Sequence, residues 1–148
     1  HLDANCRGVF FGLSSMHTTA DMARAVMEGI SYSLTDCNDI IREMGINVTE
    51  MMACGGGAKN GVQRQMMADM FGCDVNTVTA TEGPALGVAI LAGVGAGIYE
   101  SVEAAADKLV KIVDTVEPEA ELVEKYEKRY QEFRQIYPAL KPVFPHIQ

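Results

Sequence analysis

The chain has 148 residues, 20 acidic against 12 basic, with a formal charge of −8 and 48% hydrophobic residues. This excludes a disordered chain, and it leaves no basic stripe to neutralise the phosphates of a nucleic acid. No apolar run reaches the roughly 18 residues of a membrane span, and no basic region followed by an apolar one opens the sequence.

One domain is the expectation, burying roughly 70% of the extended chain's surface. The first residue is histidine and not methionine, which suggests a piece of something longer. Cys6, Cys37, Cys54 and Cys73 form no CxxC pair, so neither a zinc site nor a disulfide framework is indicated, and buried thiols in a reducing cytoplasm are expected.

In chain order, "HLDANCRGVFFGLS" sets Val9, Phe10, Phe11 and Leu13 between glycines, the pattern of a buried strand or hydrophobic loop. From Thr18 the period turns helical. Met22, Val26, Ile30, Leu34, Cys37, Ile41 and Met44 draw one apolar stripe down six turns, with Thr18 and Asp21 as a capping pair and Gly45 as the left-handed stop. "INVTEMMAC" is short enough for a strand. Helical spacing resumes near Ala58 with Val62, Met66, Met67, Met70 and Phe71 and ends at Gly72. "CDVNTVTA" is a second β candidate. Glu82 to Ala96 is apolar on nearly all sides, so a helix there needs cover on several faces, its glycines allowing close approach. "SVEAAADKLV" reads as a helix capped by Ser101, with Glu103 in its first turn, and "KIVDTVEP" as a loop or edge strand. The last helix, from Glu119 to Tyr137, aligns Leu122, Tyr126, Tyr130, Phe133 and Tyr137, and Pro138 is its expected end. Alternating helices and short strands predict an α/β or α+β domain.

The chemistry concentrates at "CGGGAKN". A strand ending in Gly55, Gly56 and Gly57, leading directly into a helix, collects bare N–H groups and a positive dipole end at one point. Missing side chains also let a flat ligand lie on the peptide planes, which suits a nucleotide. Asn60 offers an amide that both donates and accepts. Lys59 is not preceded by glycine, so this is no Walker loop; the sixth position from Gly55 is Asn60, so it is no dinucleotide fingerprint.

Asp21, Asp36, Asp39, Asp69, Asp74 and Glu82 are acid–base candidates, but a cap or solvated face explains each of them, and the helix dipole explains Glu82. His17 lacks partners at metal spacing and reads as exposed. Arg24 and Glu28 form an i,i+4 pair.

In this order, "RGVFFGLS", "ADMARAVMEGISYSLTD", "CGGGAKNGVQRQMMADMFGCDV" and "EGPALGVAILAGVGAG" resemble the C-terminal nucleotide-binding domain of the FGGY carbohydrate kinases, and within that family its xylulokinase branch. The resemblance runs from about Arg7 to Phe144. It implies an α/β fold of the actin-like, ribonuclease-H-like type, a partial C-terminal lobe that is helix-rich with a few short strands. Residues 1–148 would then be the C-terminal nucleotide-binding domain of a larger two-domain cytoplasmic kinase that binds ATP and sugar between its lobes. By position, Gly55, Gly56 and Gly57 would contact the nucleoside and first phosphate of ATP or ADP, and Asn60 the adenine edge. The implied reaction is phosphorylation of a sugar, D-xylulose to D-xylulose 5-phosphate, with Mg2+ held mainly by the phosphates and the other lobe. No segment matches the family's catalytic aspartate or sugar-binding side chains, so no catalytic or metal-ligating residue is assigned here. The chain alone is expected to bind nucleotide weakly and turn nothing over, and the apolar area it bares could be covered by a homodimer. Two competing readings are an ATPase activator subunit with a similar glycine segment, against which the lack of paired thiols counts, and a non-catalytic nucleotide-sensing module.

Overall fold

The computed structural model describes residues 3–79 and 83–147. Helix α1 spans Thr19–Glu43, strand β1 Glu50–Ala53, the single turn α2 Gly55–Ala58 and helix α3 Gly61–Phe71. Strand β2 follows at Asp74–Val78, α4 at Gly83–Gly95, α5 at Val102–Leu109, β3 at Ile112–Val116 and α6 at Ala120–Leu140, before a 3-10 turn at Phe144–His146. The sheet order is β1-β2-β3, β1 parallel to β2 and β2 antiparallel to β3. The parallel pair requires a crossover, which α2 and α3 provide, and α3 packs against the sheet. "KIVDTVEP" is thus an edge strand.

The caps are where the sequence puts them. Thr18 Oγ1 accepts from the Asp21 N–H at 3.4 Å, and the Asp21 carboxylate accepts from the Thr18 N–H at 2.7 Å. Gly45 takes φ 84°, a conformation open chiefly to glycine. The stripe on α1 is another matter. Ile30 is 53% exposed and Leu34 43%, and Met22, Val26, Cys37, Ile41 and Met44 are exposed too. The buried face carries Ser31, Tyr32, Thr35 and Asn38. Small hydroxyls make that possible: Ser31 donates to Met27 O at 3.1 Å and Thr35 to Ser31 O at 3.0 Å, each satisfied within its own helix.

Against that face lie α3 and α6. Tyr32 stacks on Tyr130 at 5.9 Å and meets Tyr126 edge-on at 6.3 Å, while Phe71, Val75, Ala68 and Met70 fill the space toward the sheet. The aromatic stripe of α6 is therefore its docking face. The Tyr130 hydroxyl donates to Asp36 at 2.7 Å and to Asp39 at 2.9 Å, and Arg24 bonds Glu28 and the Tyr126 hydroxyl, each at 2.9 Å.

Several expectations need correction. Of the two readings of Val9 to Leu13 the loop holds and the buried strand does not: they stay exposed, Phe11 at 78%, with no described strand beside them to pair with. Pro138 falls inside α6, which continues to Leu140; a proline in the last turn forfeits a single backbone bond, and Lys141 N still reaches Tyr137 O at 2.8 Å. The apolar helix, α4, is covered on one side only: Ile90 and Gly93 are buried, but Val88 is 68% and Leu91 62% exposed. Of its glycines, Gly83 and Gly93 do admit close neighbours, Cys54 and Tyr99. Cys6, Cys37 and Cys54 are exposed, and only Cys73 is buried. Asp69 is neither a cap of its own helix nor solvated, being 2% exposed, with the Glu119 N–H at 2.9 Å and Gln65 Nε2 at 3.0 Å. It anchors the start of α6. Glu82 lies outside the described residues.

Candidate functional site

β1 ends at Ala53, and Cys54 in extended backbone (φ −135°, ψ 170°) starts the glycine turn. The glycines are themselves helical, forming α2, so the helix does not begin near Ala58 as the spacing suggests. Lys59 N bonds Gly56 O and Asn60 N bonds Gly57 O, both at 3.2 Å, and a fresh helix, α3, begins at Gly61. The first N–H groups of a helical turn have no partner within it, and no Cys54 side-chain bond satisfies them.

The three glycines differ in what the backbone asks of them. Gly55 has φ 75°, where a Cβ is strained. Gly56 and Gly57 have no positive φ, and a Cβ built on Gly56 meets nothing within 4 Å, while one on Gly57 only touches Gln63 Cγ at 4.0 Å. The fold has room for side chains at both. Open space faces this stretch of main chain.

Asn60 is the N-cap of α3. Its Oδ1 accepts from Val62 N at 3.0 Å and Gln63 N at 3.3 Å, so the carbonyl is committed to the helix. This corrects the expectation of an amide free on both sides: Nδ2 is what it can present, as a donor. Gln63, buried, donates to Ser31 Oγ at 2.6 Å and Met27 O at 3.4 Å, which fixes the turn against α1.

Two clefts flank the turn. One, of about 580 Å³, is apolar, walled by Met27, Ile30, Leu34, Met51 and Met52, with Gly56, Gly57 and Asn60 at one end. The other, of about 420 Å³, is lined by Gly55, Lys59, Arg64, Thr77 and Asp114. There Arg64 on α3 pairs with Asp114 on β3 and, by direct hydrogen bonding, holds that carboxyl below its usual range. Only Nη1 makes that bond, Arg64 Nε being buried without a partner, and Lys59 is the cation of that cleft without a carboxylate partner among the described residues. Gly55, Gly56, Gly57 and Asn60 thus come together at one corner. Asp36 and Asp39 do not join them; they hold Tyr130. Asp21 is spent on its cap, and the His17 ring accepts from Ser14 N at 2.9 Å in an exposed turn. Sequence reasoning missed the α1 and β1 methionines as walls and the Arg64–Asp114 pair, whose partners are 50 positions apart.

Residues 1–96 match the model of the FGGY family of carbohydrate kinases, C-terminal domain. The chain is 40% identical over 141 residues to the xylulose kinase of Staphylococcus epidermidis, a match covering 95% of this chain and 28% of that enzyme. It superposes on a ligand-bound xylulose kinase from Lactobacillus acidophilus with a TM-score of 0.89 and 27% identity, over 99% of this chain and 30% of that one. A gluconate kinase from the same organism gives 0.87 and 27%, with the same coverage. The fold is that of the FGGY sugar kinases, actin-like, and this chain is a partial C-terminal domain of it. It spans less than a third of its relatives' length.

Proposed function

The chain belongs to the FGGY family of carbohydrate kinases, and from that membership we propose that it supplies the adenosine-binding half of a kinase site. In the intact cytoplasmic protein, ATP would phosphorylate a sugar, D-xylulose by the names of its relatives. The observation that carries this reading is the corner at Gly56 and Gly57. The backbone there tolerates a side chain and the surrounding space is empty, so what their bareness serves is outside the fold's own needs. Main chain without Cβ atoms lets a ribose or base approach the peptide planes, and unpaired N–H groups at the start of a helical turn favour an anionic phosphate. Asn60 contributes through Nδ2, which matches a ring nitrogen acceptor of adenine.

Phosphoryl transfer is positioning and charge neutralisation, with a carboxylate to receive the hydroxyl proton. Among the described residues no three His, Cys, Asp or Glu side chains gather within reach of one ion. Of the candidate carboxylates, Asp21 is spent in a cap, Asp36 and Asp39 on Tyr130 and Asp69 under α6, and the Asp114 carboxylate beside the turn is paired with Arg64. The chain's share of the reaction is to bind and orient nucleotide. Titration with ADP, followed by amide chemical shifts, tests it. Shifts should cluster on residues 55–60, and an unmoved spectrum of the folded chain at millimolar ADP would overturn the reading.

A further inference from the structure

The glycine turn has little of its own to hold it. Cys54 makes no side-chain bond at the cap, and a Cβ added at Gly55 or Gly56 would meet nothing within 4 Å. The bonds that close the turn, from Lys59 N and Asn60 N, are long at 3.2 Å each. Glycine loses more backbone freedom on ordering than any other residue, so three in a row stay loose unless their neighbours hold them. Their order has to come from the flanking elements, β1 on one side and the first turn of α3 on the other.

That first turn of α3 is moored in three directions. Gln63 Nε2 donates to Ser31 Oγ at 2.6 Å and to Met27 O at 3.4 Å, both on α1. Arg64 reaches Asp114 on β3, and Gln65 Nε2 donates to Glu117 O at 3.1 Å, in the link between β3 and α6. Successive helical residues are about 100° apart, so three in a row sweep roughly 200° of the circumference. Ties spread over that arc fix where the helix starts and how it is turned about its axis. Asn60 stands directly before them as the N-cap, with Arg64 N bonded to Asn60 O at 3.0 Å. Whatever sets this turn therefore sets Asn60 Nδ2 and the glycine peptides ahead of it.

Of the three ties, the one made by Arg64 is the least explained by stability. Its side chain is 17% exposed and that of Asp114 54%, and an ion pair so open to water contributes little to folding. Its Nε is buried with no partner, an unmet donor that counts against the fold. A tie of small benefit, carrying an unmet donor and running from α3 to the edge strand beyond β2, belongs where position matters more than stability. We infer that Arg64, held by Asp114 and flanked by Gln63 and Gln65, is a positioning residue for the nucleotide: it fixes the glycine turn and the Asn60 amide in the arrangement that receives the ligand, without touching the ligand itself. The inference rests on the nucleotide reading above. A turn ordered in advance spares binding the ordering cost, so losing the tie should weaken affinity.

Backbone amide relaxation on the nucleotide-free chain, joined to an ADP titration, tests this. In the parent, residues 55–60 should show the order parameters of rigid backbone, roughly 0.85; in Arg64→Met and in Asp114→Ala they should fall toward about 0.6. ADP should bind each variant about fivefold more weakly. The double variant should be no looser than the looser single, since both changes remove one tie. Arg64→Lys, which keeps a cation opposite Asp114, should recover part of the order. Thr18→Ala, which weakens a cap on another helix, should leave the turn as ordered as in the parent, and this separates positioning from a general loss of stability. Unchanged order in both single variants overturns the inference, as does additive loosening in the double or equal loosening by Thr18→Ala. Should Arg64→Met not fold, Asp114→Ala decides, its change lying at a half-exposed position of the edge strand. A parent that binds no ADP overturns the nucleotide reading and this inference with it, whereas variants that bind ADP as the parent does overturn this inference alone.

Discussion

Substituting alanine at Gly55 and at Gly56 separates what the fold requires from what a ligand requires. At Gly55, φ is 75°, and an L side chain in that region costs about 1–2 kcal/mol. For a chain of 148 residues each kcal/mol shifts the melting temperature by roughly 2–4 °C, so Gly55→Ala should lower it by roughly 2–8 °C. At Gly56 the added methyl meets nothing within 4 Å, and φ is not positive. Restricting the unfolded chain there should stabilise by about 0.4–1 kcal/mol, a rise of roughly 1–4 °C. That same methyl stands where the adenylate is proposed to lie. Gly56→Ala should therefore weaken ADP binding about tenfold, near 1.4 kcal/mol, while the protein melts higher. Differential scanning calorimetry and an ADP titration on both variants check the pair. A Gly56→Ala protein that binds ADP as the parent does would refute the reasoning, because the ligand would not be against that peptide plane; one that melts as low as Gly55→Ala would show that the fold, not the ligand, wants the glycine.

Asn60 allows a similar division. Asn60→Ala orphans the Val62 and Gln63 N–H groups and should cost about 1 kcal/mol in chemical denaturation, whereas Asn60→Asp keeps the cap and should lose ADP affinity with stability intact. Removing the first cap, Thr18→Ala, should lower stability by about 1 kcal/mol and speed amide exchange in the opening turn of α1, with ADP binding unaltered. At high pH the tyrosines decide. Burial, with Asp36 and Asp39 for Tyr130, raises the hydroxyls of Tyr32, Tyr126 and Tyr130 above the ordinary range. Their contribution is present below about pH 10, the value in the unfolded chain, and is lost as pH rises through the folded values. Tyrosinate absorbance and loss of helical circular dichroism should thus rise together above about pH 10; full ionisation with the helices intact would contradict the burial of these rings. In acid the sign reverses. Asp21, held low first by the Thr18 N–H, and Asp114, held low by Arg64, give stability above about pH 4 that disappears as pH falls through their folded values, which a denaturation series at pH 2–7 would register.

Local chemistry was legible in the chain itself. A capping pair needs residues three apart, a left-handed stop needs glycine, and the corner at Gly55 to Gly57 follows from residues adjacent in sequence, so Thr18, Gly45, Gly72 and Ser101 could each be read where they stand. The order of four motifs was enough for the family. Tertiary structure alone decided which face of α1 is buried, because periodicity says that a stripe will be covered but not by what; on the face that is buried, Ser31 and Thr35 bond back to their own helix and the Tyr32 ring packs on α6. It likewise decided that Asn60 has only its donor to offer, that Asp69 anchors a helix 50 positions away, and that three of four thiols face solvent. Each of these depends on a partner brought close only by the folded chain, and hydrogen-bond capacity, unlike helical period, is spent on whichever partner arrives.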